Sequence, residues 1–269
     1  MKRVYLEITN SCNLNCPFCT NNKGNNFLSY EQVANYLEQI KPYSNYVYLH
    51  MLGEPLLHPN FNEILNKLDK LNLNLQLVTN GTLLYKFPDI LEHSCLRKLS
   101  ISIHSVNNID INDDYFKTID QLINKNKHSN IELRFYDYDN LSDKLKHYLD
   151  SLKEKYNFEI TPKKNSYKLK ENTYVYFEEL FRWPNINDEI INDTGTCHGA
   201  IDMIGINSSS EVTICCLDPY AYNTIGNLKK QTLKDILDSE KYKQYISDFK
   251  SHQIKSELCK RCSYRLRFR

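Results

Sequence analysis

The chain reads as an α/β protein: a partial barrel of six βα units, followed by a small domain made of a β-hairpin and a helix. Three observations predict this. Over about the first 160 residues, short strand-like runs alternate with amphipathic helical stretches, the mark of βα units and a parallel sheet. Within the strand candidates apolar and polar residues alternate, so one face is to be covered by helices and the other left polar. Towards the C-terminus the pattern changes to two short runs around Ser208-Ser209-Ser210, then a helical stretch.

The elements follow in order. Strands are expected at 3–9, 46–51, 73–79, 98–104, 131–136 and 158–161. Helices are expected at 29–40, 61–71, 83–93, 114–126 and 142–156; in the first, Ser29 is an N-cap, and Val33, Tyr36, Leu37 and Ile40 share one face. In 98–104, Leu99, Ile101 and Ile103 alternate with Ser100, Ser102 and His104; in 131–136, Ile131, Leu133 and Phe135 alternate with Glu132, Arg134 and Tyr136. An antiparallel sheet with one solvated face gives the same alternation. In a partial barrel the polar face lines the lumen, a place for ligands. The division expected is a barrel over 1–161, a linking segment over 162–196 that lies near the substrate, and a second domain over 197–269. That domain holds a hairpin of 203–207 and 211–215 and a helix over 232–249, and the tail 265–269 reads as a solvated end or final edge strand.

A chain of 269 residues with a net charge of +1 has no bulk field to draw it to nucleic acid or to an acidic membrane. Met1-Lys2-Arg3 runs straight into a strand with no long apolar segment, which argues against a signal peptide or a membrane span. Nine cysteines, several at metal-ligand spacing, imply a reducing cytoplasm.

Cys12, Cys16 and Cys19 stand in C-x3-C-x2-C spacing directly after the first strand. Three thiolates in one short loop can hold three irons of a [4Fe-4S] cube and leave the fourth open for a small molecule. Zinc would want a fourth protein ligand nearby, and a disulfide scaffold an even cysteine set in a small secreted chain. With Phe18 before its third cysteine, the triad resembles the signature of the radical S-adenosylmethionine (radical SAM) enzymes. The resemblance implies a partial (β/α)6 TIM-like barrel, with SAM chelating the open iron and cleaved there to a 5′-deoxyadenosyl radical. Gly53-Glu54-Pro55 resembles that family's element for the SAM amino group, with Leu52 in place of its first glycine. By the same resemblance Asn80, in Thr79-Asn80-Gly81, approaches the adenosyl group, and Ser100 and Ser102 contact ribose or carboxylate. Ordinary turns also use Gly53 and Asn80-Gly81.

Cys197, Cys215, Cys259 and Cys262 form a second set. The order of cysteine, hairpin, cysteine, Gly226-Asn227, helix and C-x2-C resembles the twitch domain, the shortened SPASM domain, and implies a fully ligated auxiliary [4Fe-4S] cluster. Four cysteines also suit a structural zinc. Cys216 competes with Cys215, but strand neighbours point to opposite faces, and Cys215 is the ligand expected. Cys95 reads as a small buried hydrophobe.

Within the family, the short chain and this cysteine spacing look most like the dehydrogenases that oxidise an aminocyclitol, 2-deoxy-scyllo-inosamine. The activity implied is oxidation of a secondary alcohol of a sugar or cyclitol, with the auxiliary cluster as electron acceptor and an external donor such as flavodoxin or ferredoxin. Arg182, in Phe181-Arg182-Trp183, and Arg134 are candidates for substrate contact, as charge-assisted donors. His50 and His104 are the acid/base candidates. The alternative is a peptide-modifying radical SAM enzyme, an epimerase or cross-linking maturase; a non-catalytic iron-sulfur carrier is a third reading.

Overall fold

The computed structural model describes residues 1–20, 24–180 and 182–268. Its chain forms two compact units: Met1–Cys12 with Cys19–Leu73 and Phe181–Arg269, and Asn13–Phe18 with Asn74–Leu180. Both are α/β units with open, mixed sheets.

In the first unit, β1 (Arg3–Leu6) runs parallel to β2 (Tyr46–Tyr48) on one side and to β8 (Met203–Ile206) on the other. Antiparallel β9 (Glu211–Thr213) and β10 (Thr224–Asn227) extend the sheet beyond β8. The apolar residues Val4, Leu6 and Val47 of these strands are buried, as are the apolar faces of α1 (Tyr30–Ile40) and α2 (Phe61–Leu71). Helix α1 starts at Ser29 with a complete capping box: Ser29 Oγ accepts from the Gln32 N–H, and the Gln32 side chain accepts from the Ser29 N–H. The C-terminal part adds α5 (Leu233–Asp238), α6 (Glu240–Lys250) and α7 (Glu257–Lys260). A Cβ on Gly226 would lie 2.5 Å from Ile236 Cγ1, so only glycine lets β10 and α5 pack this closely.

In the second unit, β3 (Asn74–Thr79), β4 (Leu96–Ser102), β5 (Asn130–Arg134) and β7 (Thr173–Tyr176) are parallel, and β6 (Ser166–Lys170) pairs antiparallel with β7 at the edge. Helices α3 (Asp113–Lys125) and α4 (Asp143–Tyr156) bury Ile119, Ile123, Leu145 and Leu149.

Four expected elements differ. Residues 158–161 form no strand: Phe158 stacks on Tyr167 at 5.2 Å and the Thr161 N–H donates to the Tyr167 hydroxyl at 2.6 Å. The run follows Asn157 in the left-handed region and is closed by Pro162, and the parallel place beside β5 goes to β7 instead. The stretch 162–196, read as a link, therefore supplies two strands. Residues 83–93 form two single 3-10 turns, Leu84–Lys86 and Ile90–Glu92, because Pro88 between them lacks an N–H. The helix expected over 232–249 is split at Ser239, which ends α5 and caps α6 through its hydroxyl. The tail is a 3-10 turn, Tyr264–Arg267, and no strand, with Arg269 outside the described residues. Among the described residues no helix is long and apolar enough to cross a membrane.

Candidate functional site

In the first unit, β1 leads into the loop that carries Cys12. Its course is fixed by the Ser11 N–H donating to Thr9 Oγ1 at 3.0 Å and the Glu54 N–H donating to Ser11 O at 2.8 Å. Gly53 has φ +75°, and a Cβ there would stand 2.3 Å from Thr9 O, so the turn presses against the cysteine loop closely enough to require glycine. Glu54 is buried and its Oε1 accepts from the Leu56 N–H at 3.1 Å, capping the turn Pro55–Leu57. Beneath it lies a residue that sequence reasoning missed. Glu7, buried, accepts from the Leu52 N–H at 2.8 Å and from the Ser208 N–H and hydroxyl at 3.0 and 2.8 Å. It ties the Leu52-Gly53-Glu54 turn to the hairpin; burial raises its pKa above the ordinary carboxylate value, and the three hydrogen bonds oppose that shift. Its only signal in the sequence was a lone carboxylate within the run 3–9 expected as the first strand.

In the second unit, Asn80 is the knot of the first-cysteine loop. Its amide donates to Asn13 Oδ1 at 3.0 Å, and its Oδ1 accepts from the N–H and hydroxyl of Thr82 at 2.9 and 2.7 Å. Asn13 returns a bond to Thr82 Oγ1 at 2.8 Å, and Cys16 Sγ donates to Ser105 O at 3.4 Å. Ser100, buried, gives its proton to Glu132 at 2.8 Å. Lys98 pairs with the same carboxylate at 2.5 Å, and Arg134 approaches it to 3.9 Å. Ser102 lies opposite Arg134 in the register, so the expected polar face is present over β4 and β5.

The acid/base and substrate candidates fall in different places. His104 sits past the end of β4 in a 3-10 turn, Ile103–Val106, so it is not the lumen-facing strand residue expected. It stacks on Tyr136 at 4.6 Å and meets Phe18 at 5.2 Å, and its Nδ1 lies 3.1 Å from Arg134 O. A carbonyl only accepts, so Nδ1 carries the proton and Nε2 the lone pair. Burial lowers the His104 pKa to about 4 and keeps the ring neutral. His104 and Arg134 are thus neighbours. His50 belongs to the first unit, edge-on to Tyr5 and Tyr48 at 5.9 and 5.8 Å. Arg182 is exposed and paired with Asp188 at 2.7 Å; Phe181 beside it lies outside the described residues.

The C-terminal thiols do come together. Cys197, Cys215, Cys259 and Cys262 line one small cavity with Ile214, Phe249 and Leu258. The N–H of Gly199 donates to Cys197 Sγ at 3.4 Å and that of Leu217 to Cys215 Sγ at 3.4 Å. Burial pushes the Cys197 thiol up to about 12 and raises those of Cys259 and Cys262; the Cys215 thiol is raised by its hydrogen bond with Cys216 and by burial. Neutral thiols converging in a small, largely apolar cavity are the donor set of a soft metal centre, and the residues present fit a fully ligated cluster. Cys216 is not among the residues lining this cavity; its neighbour Cys215 first, then Tyr5 and the charge of Arg3, lower its pKa against the effect of burial. Cys95 is buried in the second unit, with its Sγ within 4.8 Å of a ring nitrogen of His93. Arg265, read as part of a solvated end, is instead 3 % exposed and lines the thiol cavity.

Comparison with known proteins agrees with this arrangement. Residues 6–133 match the family model of the radical SAM superfamily, and residues 197–263 match that of SPASM, an iron-sulfur cluster-binding domain. A tungsten-containing aldehyde ferredoxin oxidoreductase cofactor-modifying protein of Pyrococcus furiosus is 34% identical over 91 residues, 31% of this chain and 25% of that protein. A GTP 3′,8-cyclase of Aquifex aeolicus is 31% identical over 117 residues, 40% of this chain and 36% of that protein. The matched stretches thus span well under two thirds of these relatives. Among solved structures, BtrN in complex with AdoMet and 2-DOIA has a TM-score of 0.59 at 17% identity, covering 97% of this chain and 92% of that one. Native anSMEcpe with bound AdoMet and Cp18Cys peptide has a TM-score of 0.62 at 14% identity, covering 98% and 86%. The fold is therefore the α/β partial barrel of radical SAM enzymes, which implies a SAM-binding [4Fe-4S] cluster, SAM and an auxiliary iron-sulfur cluster. With its cysteine triad inside the first match and four converging cysteines inside the second, the chain carries a domain of the radical SAM superfamily and a C-terminal iron-sulfur cluster-binding domain of the SPASM type.

Proposed function

We propose that the protein oxidises a secondary alcohol of a sugar or aminocyclitol, with Cys12, Cys16 and Cys19 holding the SAM-binding cluster and Cys197, Cys215, Cys259 and Cys262 the auxiliary one. The observation that carries the reading is the one small cavity lined by four thiols: a cluster ligated on all sides has no position for substrate and suits the acceptance of an electron. When bound, the cofactors supply a 5′-deoxyadenosyl radical that takes the carbinol hydrogen and an acceptor for the electron left behind.

The chain's own residues would bind and orient the alcohol. The face carrying Lys98, Ser100, Ser102, Glu132 and Arg134 offers donors and acceptors suited to a ring bearing hydroxyl or amino groups. Arg134 stays protonated, so it holds a hydroxyl by charge-assisted hydrogen bonds and is not the base. His104, with its lone pair on Nε2, would be the group that takes the hydroxyl proton. Gly53, Glu54, Pro55 and Asn80 shape the loops that would receive SAM.

The test uses anaerobically reconstituted protein, dithionite, SAM and a panel of sugars and aminocyclitols deuterated at the carbinol carbon. The expected result is 5′-deoxyadenosine carrying deuterium together with a ketone two hydrogens lighter than its substrate. Cys12→Ala should abolish SAM cleavage, whereas Cys259→Ala should retain cleavage and lose the ketone. Full ketone yield from Cys259→Ala would sink the electron-acceptor role. Deuterium transfer only from peptides labelled at Cα would point to peptide modification, the alternative reading.

A further inference from the structure

Arg265 is the buried cation of the thiol cavity. Its Nε donates to Cys259 O at 2.8 Å, one terminal nitrogen to Thr194 O at 2.8 Å, and the other to Asn192 O at 2.7 Å and to Asn192 Oδ1. Every one of these acceptors is a neutral oxygen. Arg261, in the preceding turn, is by contrast paired with Glu257 at 2.7 Å. Among the described residues Arg265 makes no ion pair. The other charged group lining the cavity, Asp218, has its carboxylate taken up by the N–H groups of Tyr222 and Asn223 at 2.9 and 2.7 Å. A guanidinium this deeply buried and neutralised by no carboxylate is costly unless an anion stands near it.

The anion is at hand in the same cavity. A cube held by four thiolates is negative in both redox states, and reduction adds one further negative charge. A fixed positive charge beside it therefore favours the reduced form.

We propose that Arg265 is a positioning residue that sets the potential of the auxiliary cluster, its guanidinium raising that potential so that the cluster accepts an electron. This rests on assigning the four cysteines to that cluster. A purely mechanical role must be separated from it, because the same hydrogen bonds clamp the segment before Cys197 to the turn carrying Cys259.

The experiment is an EPR-monitored redox titration of the full chain carrying Cys12→Ala, Cys16→Ala and Cys19→Ala, so that one cluster gives the signal. Into this background go Arg265→Gln, Arg265→Lys and Asn192→Asp. The last keeps an acceptor oxygen on Arg265, and so the clamp, while supplying the carboxylate that neutralises it. Asn192→Asp and Arg265→Gln are each expected to lower the midpoint potential by the equivalent of at least a tenfold change in the reduced-to-oxidised ratio, ~59 mV for one electron. Arg265→Lys should stay nearer the parent. An unchanged potential in Asn192→Asp would overturn the proposal and leave Arg265 a clamp only, even if Arg265→Gln fails to load iron. Absence of iron from the parent background would instead overturn the four-cysteine assignment itself.

Discussion

Gly53 sits in the left-handed region with Thr9 O where its Cβ would be, so Gly53→Ala must move backbone that also carries the Ser11–Glu54 hydrogen bond. The strain of the left-handed conformation alone costs about 1–2 kcal/mol. We expect SAM affinity by equilibrium dialysis to weaken at least tenfold with the circular dichroism spectrum unchanged; equal affinity would remove this turn from the SAM site. His104 offers a test of a different kind. Its pKa falls from 6.5 to about 4 on folding, so below about pH 6.5 the unfolded chain takes up the proton first. That contribution to stability is complete above pH 6.5 and is lost as pH drops towards 4. Between pH 7.5 and 5 the loss is about 2 kcal/mol. Urea unfolding of His104→Phe should show a correspondingly flatter acid side than the parent, and identical slopes would mean that the ring is protonated in the fold. At this scale the sequence marked both cysteine sets, the first by its spacing and the second by the order of hairpin, helix and C-x2-C around it. It did not show how polar groups pair: Ser100 is engaged by Glu132 and Asn80 by Asn13, contacts between residues distant in the chain.

Helix α1 was legible to its first residue because every signal for it is local: a serine, a glutamine in the third helical position, and an apolar stripe. Ser29→Ala removes one half of the capping box, at a cost of about 1 kcal/mol. Urea titration should register that loss, and Ser29→Asp should restore most of it; no change in either would mean that packing alone fixes the helix start. The expected strand at 158–161 failed for the opposite reason. Which run lies beside β5 is decided by long-range pairing, and β7 buries Val175 there while the earlier run is closed by Pro162. The run 83–93 carried its own contradiction in Pro88, and the apolar spacing around it hid that.

For the whole molecule, the central expectation is two clusters of unlike ligation in one chain. Three cysteines in a single loop leave an iron to bind SAM, while four that close on one cavity leave none. Loop spacing made the first set visible, and the order of hairpin, helix and C-x2-C made the second visible. The convergence of Cys197, Cys215, Cys259 and Cys262 depends on α6, α7 and the Arg265 clamp, which spacing does not describe. Anaerobic iron and sulfide analysis with EPR is therefore the decisive measurement. The reconstituted parent should hold about eight irons and the Cys12→Ala, Cys16→Ala, Cys19→Ala variant about four. SAM should perturb the spectrum of the parent and leave that of the variant unchanged, because only the triad leaves a coordination position open. About four irons in the parent and none in the variant, with zinc present, would make the C-terminal thiols a structural zinc site. The chain would then lack an internal electron acceptor, and its chemistry would have to be redox-neutral, returning the hydrogen atom or rearranging the substrate without net oxidation.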